Sequence, residues 1–98
     1  RQLCKTLEDE TVKWLKRLAT GGRALPDAQF MLAEAYGKGR FGLEVDHARA
    51  YALYISASKA NHDEASYRAA VCHEVGAGTK KDYRRAVQFY RKAAALGH

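Results

Sequence analysis

Residues 46–62 read DHARAYALYISASKANH, and residues 82–98 repeat the pattern 36 positions later as DYRRAVQFYRKAAALGH. Upstream of each segment, Ala28 and Gly39 recur as Ala65 and Gly76, 37 positions on. A fixed period of this length is typical of stacked two-helix units. Such a unit cannot bury its apolar face alone, so its neighbours must cover it. We therefore predict an all-α fold, a right-handed α-solenoid of antiparallel helix pairs.

The spacing of apolar residues predicts about five helices, or two and a half repeats. Asp82 is a good N-cap, and the apolar residues that follow it fall on one helical face. Residues 11–19 match residues 86–94, so residues 1–22 are expected to be the second helix of a preceding, truncated repeat. Residues 27–62 and 63–98 would be complete repeats. The predicted helices are 6–19, 27–38, 46–60, 63–75 and 82–96.

Composition limits the function classes. The chain has 98 residues, enough for one domain, and a net charge of +6. This charge is compatible with an anionic partner, although a solvated helix face is the commoner origin. Cys4 and Cys72 lack the paired spacing of a disulfide framework or zinc site, so we expect reduced thiols in a cytosolic-type protein. No stretch has the length of an apolar membrane span.

The sequence contains no recognisable catalytic or metal-binding motif. His47, His62, His73 and His98 lack the i, i+4 spacing of a helical metal site. Cys72 and His73 are adjacent, and adjacent helical residues do not face each other, so a thiol nucleophile is a weak alternative. We accordingly expect no catalytic residue, no metal and no cofactor.

The residue pattern is similar to the Sel-one-like repeat, a relative of the tetratricopeptide repeat. The resemblance rests on Ala28-x3-Leu32-Ala33-x2-Tyr36-x2-Gly39 with Asp46-x3-Ala50, and on the ending RKAAALGH at 91–98. Ala69 and His73 stand where the repeat usually has Leu and Tyr. The resemblance implies two antiparallel helices per repeat.

A narrower resemblance is to the fungal activators of chitin synthase. It rests on 26–39 (PDAQFMLAEAYGKG), 42–46 (GLEVD), 67–72 (YRAAVC) and 78–82 (GTKKD). It implies a non-catalytic cytosolic scaffold that recruits and activates a membrane-bound chitin synthase at sites of polarised growth and septation. The implied partner is a cytosolic region of the synthase or a septin-linked adaptor. The implied location is the cytoplasm, peripheral to the plasma membrane.

In related helical repeats the first helix of each pair lines a concave surface, which implies a protein-binding face here. The outward positions expected on it are Phe30, Glu34, Lys38, Tyr67, Val71 and Glu74. The alternative for Phe30 and Tyr67 is packing between successive repeats.

A second candidate surface is basic and lies mostly on the second helices and their preceding loops. Its expected members are Lys13, Lys16, Arg17, Lys80, Lys81, Arg84 and Arg85. An anionic lipid surface would attract such residues, whereas simple solubility is the plainer explanation.

Besides the thiol nucleophile, two other functions remain open at this point. Another Sel-one-like adaptor, such as a subunit of protein quality control, has the same pattern. The secreted bacterial members carry paired cysteines, which this chain lacks. A nucleic-acid binder would need a basic concave face, yet Glu34, Glu64 and Glu74 fall near it, so nucleic acid is the least favoured partner.

Overall fold

The computed structural model describes residues 2–20 and 24–97, with side chains from Asp9 onward. In that part of the chain five α-helices follow one another and no strand forms. They are α1 (Gln2–Ala19), α2 (Pro26–Lys38), α3 (His47–Lys59), α4 (Asp63–Val75) and α5 (Tyr83–Ala95). Each helix packs on the next in chain order, which gives an elongated body of 45 × 26 × 21 Å. The predicted all-α solenoid of helix pairs is confirmed.

The expectations for Cys4 and His98 concern side chains outside the described residues, and residues 1 and 21–22 of the proposed truncated repeat also lie outside them. α1 begins at Gln2, about a turn earlier than the sequence predicts, whereas α4 has the predicted bounds.

Local chemistry fixes where the helices begin and end. The side chain of Asp46 accepts a hydrogen bond from the Arg49 N–H at 3.1 Å, and Asp82 caps α5 in the same way. A histidine caps α4. Asn61 has a left-handed backbone with φ of 64°, and His62 caps the helix because its Nδ1 accepts from the Ala65 N–H at 3.1 Å.

One face of α2 and the equivalent face of α4 are buried. In α2 these residues are Ala28, Leu32, Ala33 and Tyr36, and in α4 they are Ala65, Ala69, Ala70 and His73. Most are alanines, whose small side chains let neighbouring helix axes approach closely.

Each second helix needs cover on two faces, because it lies between its own first helix and the first helix of the next repeat. α3 meets α4 through Tyr51, whose hydroxyl lies 3.0 Å from His73 Nε2. Farther along, Ser58 and Ser66 are fully buried with their hydroxyl oxygens 2.8 Å apart. The Ser66 hydroxyl donates to the His62 carbonyl, so the Ser58 hydroxyl donates to Ser66. Neither buried hydroxyl is left without a partner.

The first and last helices are covered on one face only. At the α5 position that matches Tyr51 of α3, Val87 is 46% exposed. On α1, Trp14 and Leu18 match Leu53 and Ala57 of α3, and they are 57% and 44% exposed. These exposed apolar residues are therefore explained by their place in the repeat.

The loop between α4 and α5 touches the preceding repeat. Gly78 has φ of 74°, and a Cβ at this position would overlap with the carbonyl oxygen of His47 at the start of α3. Only glycine permits both the left-handed backbone and this close approach. The loop therefore helps to fix how the two repeats stack.

We expect Gly78→Ala to lower the free energy of unfolding by about 3 kcal/mol, since it adds a backbone clash to left-handed strain. Gly97→Ala is the matched control, because Gly97 also has a positive φ (95°) but a Cβ there meets nothing within 4 Å. Urea unfolding measures both variants. Equal losses in the two would show that the contact with His47 does not constrain the stacking.

Candidate protein-binding surface

Phe30, on the outward face of α2, packs at the junction between repeats. Its ring stacks on His62 with centroids 4.9 Å apart, and it lies 5.9 Å from the Tyr54 ring. The Nε2 of His62 is held 2.8 Å from Asp27 Oδ1. Because Nδ1 of this histidine accepts at the α4 cap, Nε2 carries the proton and donates to Asp27. Phe30 is half-buried by these contacts, so part of its side chain is available to a partner.

Glu34 is buried, so its expected outward exposure is wrong. Only 9% of the residue is exposed, because α4 of the next repeat covers it. Its carboxylate accepts from the Tyr54 hydroxyl at 2.5 Å and pairs with Lys38 at 2.8 Å and with Arg68 at 3.2 Å. The group therefore links α2 and α3 of one repeat to α4 of the next.

The protonation of this cluster follows from its geometry. Burial alone would raise the pKa of Glu34, but hydrogen bonds from Lys38 and Tyr54 and the charge of Arg68 outweigh it. The pKa of Glu34 consequently lies below its ordinary value of 4.5. Burial, followed by the hydrogen bond to Glu34, raises the pKa of the Tyr54 phenol. The carboxylate is charged and the phenol is the donor at neutral pH.

The second repeat carries a similar arrangement in a more open setting. Tyr67 and Tyr90 lie with their ring centroids 5.5 Å apart, and the Tyr90 hydroxyl donates to Glu74 at 2.6 Å. This hydrogen bond raises the pKa of Tyr90 to about 12. Tyr67 is half-buried and Glu74 is exposed, so both remain within reach of a partner.

A shallow groove lies between α2 and α4 around the Glu34 carboxylate. It contains a recess of about 150 Å³, whose lining includes Glu34, Lys38, Arg68 and Val71. Lys38 is exposed and Val71 half-buried. The structure thus brings together three of the predicted concave residues, Glu34, Lys38 and Val71. Arg68 was missed, since nothing in the helical spacing indicates which side chain of α4 crosses to α2.

The predicted basic residues are all exposed, but they lie at both ends of the helix order. Lys13, Lys16 and Arg17 lie on α1, Lys80 and Lys81 precede α5, and Arg84 and Arg85 lie in its first turn.

Other chemistry has little support in the structure. Burial raises the pKa of the Cys72 thiol, which disfavours the thiolate that a nucleophile needs. Within the described residues, no group of three or more His, Cys, Asp or Glu side chains could hold a metal ion. Among the same residues, no helix is both long and apolar enough to cross a membrane.

Paired helices stacked at a period of 36 to 37 residues define an α-solenoid of two-helix repeats. The model of the family described as Sel1 repeat matches residues 26–62 and 63–98. The chain therefore belongs to the Sel1 repeat family.

Relatives and solved structures agree with this assignment. A Sel1 repeat protein from Oxalobacter formigenes superposes with a TM-score of 0.85 at 38% identity, over 92% of this chain and 65% of that one. The uropathogenic Escherichia coli antigen c5321, described as displaying an SLR fold, has a TM-score of 0.83 at 31% identity, over 89% of this chain and 18% of that one.

Two curated relatives are yeast proteins. The chitin synthase regulator SKT5 of Saccharomyces cerevisiae is 39% identical over 91% of this chain and 12% of its own length. Chitin synthase regulatory factor 3 of Schizosaccharomyces pombe is 36% identical over 74% of this chain and 8% of its own. The chain therefore spans a small fraction of the length of these relatives.

We expect Glu34→Gln to destabilise the fold by about 2 kcal/mol at neutral pH, because it removes a charged acceptor from Lys38, Tyr54 and Arg68. Glu34 has a lowered pKa, so its contribution is complete above pH 4.5 and is lost as the pH falls through the folded-state pKa. The stability of the variant should accordingly fall less steeply than that of the wild type below pH 4.5. Urea unfolding at several pH values measures this difference.

Glu64→Gln provides the control, since Glu64 is an exposed glutamate on α4. If the free energy of unfolding fell with pH as steeply in Glu34→Gln as in the wild type, the role given to this carboxylate would be contradicted.

Proposed function

We propose that this chain is a non-catalytic protein-interaction segment that docks on a cytosolic region of a chitin synthase and thereby recruits and activates it. The observation that carries the proposal is the 39% and 36% identity to two yeast proteins named as chitin synthase regulators. The raised pKa of Cys72 agrees with a role outside catalysis. The proposal implies a cytoplasmic location, at the plasma membrane through the partner.

The docking surface in this proposal is the groove between α2 and α4. The recess offers the exposed Lys38 and the half-buried Val71. We propose that the exposed Glu74 and the half-buried Tyr67 and Phe30 extend this surface along α4 and α2. Such a mixture of apolar centre and charged rim is typical of protein interfaces. Glu34 acts here as a support for the groove, because it is buried beneath Lys38 and Arg68.

We also propose the repeat boundaries 1–22, 27–62 and 63–98. Val12, Leu15 and Ala19 of α1 support the first of these, since all three are buried in the way expected for a second helix covered by the next first helix.

We expect Val71→Glu to weaken binding to the purified cytosolic region of chitin synthase at least about tenfold, since a charge in the groove would be desolvated on docking. Val87→Glu makes the same change on the exposed face of α5, outside the groove. Isothermal titration calorimetry measures both, and circular dichroism verifies that both variants fold. Unchanged affinity in Val71→Glu would refute the groove as the docking surface. Absence of wild-type binding, with binding to a septin-linked adaptor instead, would refute the synthase as the direct partner.

A further inference from the structure

A second surface lies on the opposite side of α2 from the groove. Residues of α1, α2 and α3 line an open cleft of about 600 Å³ there. Its lining comprises Lys16, Arg17, Thr20, Leu32, Tyr36, Arg49 and Leu53. Leu32 and Tyr36 point away from Phe30 and Glu34, because residues two apart on a helix lie about 200° apart around its axis. A partner in the groove would therefore leave this cleft free.

The cleft has an apolar floor and a cationic rim. Leu32 and Tyr36 form the buried floor, and Leu53 is partly buried beside them. Arg49 is held on the rim by Tyr36, since its guanidinium carbon lies 5.6 Å from the ring centroid and its Nη1 donates to the hydroxyl at 3.3 Å. It also pairs with Asp46 at 3.4 Å.

The other two rim cations have no acidic partner among the described side chains. Lys16 and Arg17 are exposed, and neither makes an ion pair with a carboxylate in that part of the chain. The guanidinium of Arg17 lies 5.6 Å from the centroid of the Trp14 ring. Lys16 and Arg17 thus lie beside Arg49 above an apolar recess, and no ion pair within the described side chains neutralises either of them. Glu44 and Asp46 line a neighbouring pocket to which Lys16 also contributes.

The second repeat provides an internal comparison, because the equivalent cleft between α3 and α5 is filled. Phe89 occupies the position of Leu53, and its ring stacks on His73 with centroids 5.7 Å apart and planes 10° apart. Ile55 and Ser56 occupy the positions of Lys16 and Arg17. The open, basic cleft therefore depends on Leu53, Lys16 and Arg17 at this place in the solenoid. It is not a general property of the repeat.

We propose that the cleft between α1 and α3 binds an acidic peptide segment that inserts one bulky apolar side chain between its carboxylates. Carboxylates match the rim of Lys16, Arg17 and Arg49, and the apolar side chain covers Leu32 and Tyr36. A cleft of 600 Å³ is within the range of about 300–1,000 Å³ that is usual for ligand pockets. A flat anionic bilayer would meet the rim alone, because the apolar floor is recessed below it. This surface is additional to the groove and does not depend on the proposed synthase contact.

The test uses labelled synthetic peptides and fluorescence anisotropy on the intact chain. The probe is a short peptide in which Glu and Asp residues flank one central Leu. A second peptide replaces that Leu with Gln, and a third replaces the acidic residues with Lys. We expect the first peptide to bind at least about tenfold more tightly than either of the others, since the cleft requires both features.

Two cleft variants locate the site. Leu53→Phe introduces the residue that fills the equivalent cleft, and Lys16→Glu with Arg17→Glu reverses the rim charge on an exposed helix face. Each should weaken binding of the acidic Leu peptide at least about tenfold. The control is Lys80→Glu with Lys81→Glu, which makes the same charge change on exposed residues outside the cleft and should leave binding within about twofold. Circular dichroism verifies that each variant folds. If Leu53→Phe does not fold, the Lys16→Glu with Arg17→Glu variant still tests the site.

Three results would overturn the proposal. One is no binding of the acidic Leu peptide, and another is equal weakening by the control pair, which would indicate diffuse charge attraction. The third is that the peptide does not bind, whereas phosphatidylserine vesicles do, and both charge variants weaken vesicle binding equally. That result would assign the basic residues to a membrane surface.

Discussion

The buried carboxylate of Glu34 is the group through which α2, α3 and α4 are coupled. Tyr54, which donates to it, comes from the second helix of one repeat, and Glu34 comes from the first helix of that repeat. Arg68 then reaches the same carboxylate from the next repeat. A buried carboxylate is costly unless it is paired and hydrogen-bonded, so the arrangement is stable only when all three helices are in place. One buried charge thus couples two repeats that could otherwise pack with various offsets.

The same stacking rule explains which surfaces are left for partners. α3 is covered on two faces, by α2 and by α4, and α2 and α4 leave a groove along their outward side. On the other side of α2, the basic cleft lies between α1 and α3 above Leu32 and Tyr36. The two surfaces differ in chemistry, since the groove presents charges of both signs and the cleft presents cations over an apolar floor. A single repeat could form neither surface. The groove lies between two first helices, α2 and α4, and the cleft lies between two second helices, α1 and α3.

Much of the fold follows from the sequence, because periodicity is a local property. Spacing within single helices predicts three features of the fold. These are the buried stripes that contain Ala28 and Ala65, the caps at Asp46 and Asp82, and the order of the five helices. Contacts between helices do not follow from that spacing. Glu34 occupies an outward helical position, yet it is buried because Arg68 and α4 lie across it. His62 caps α4, which helical spacing does not predict, and the preceding Asn61 takes a left-handed backbone in the tight turn. The basic cleft could have been found by comparing Leu53 with Phe89 and Lys16 with Ile55, since the repeat itself supplies that alignment.

The central claim is that the two repeats form one cooperative unit through the cluster around Tyr54. Native-state hydrogen exchange, measured on the wild type and on Tyr54→Phe, tests it most directly. The account predicts that the most protected amides of α2, α3 and α4 exchange through one shared opening reaction. It also predicts that Tyr54→Phe lowers the free energy of this opening by the same amount in all three helices. Loss of protection confined to α2 and α3, with α4 unchanged, would contradict it.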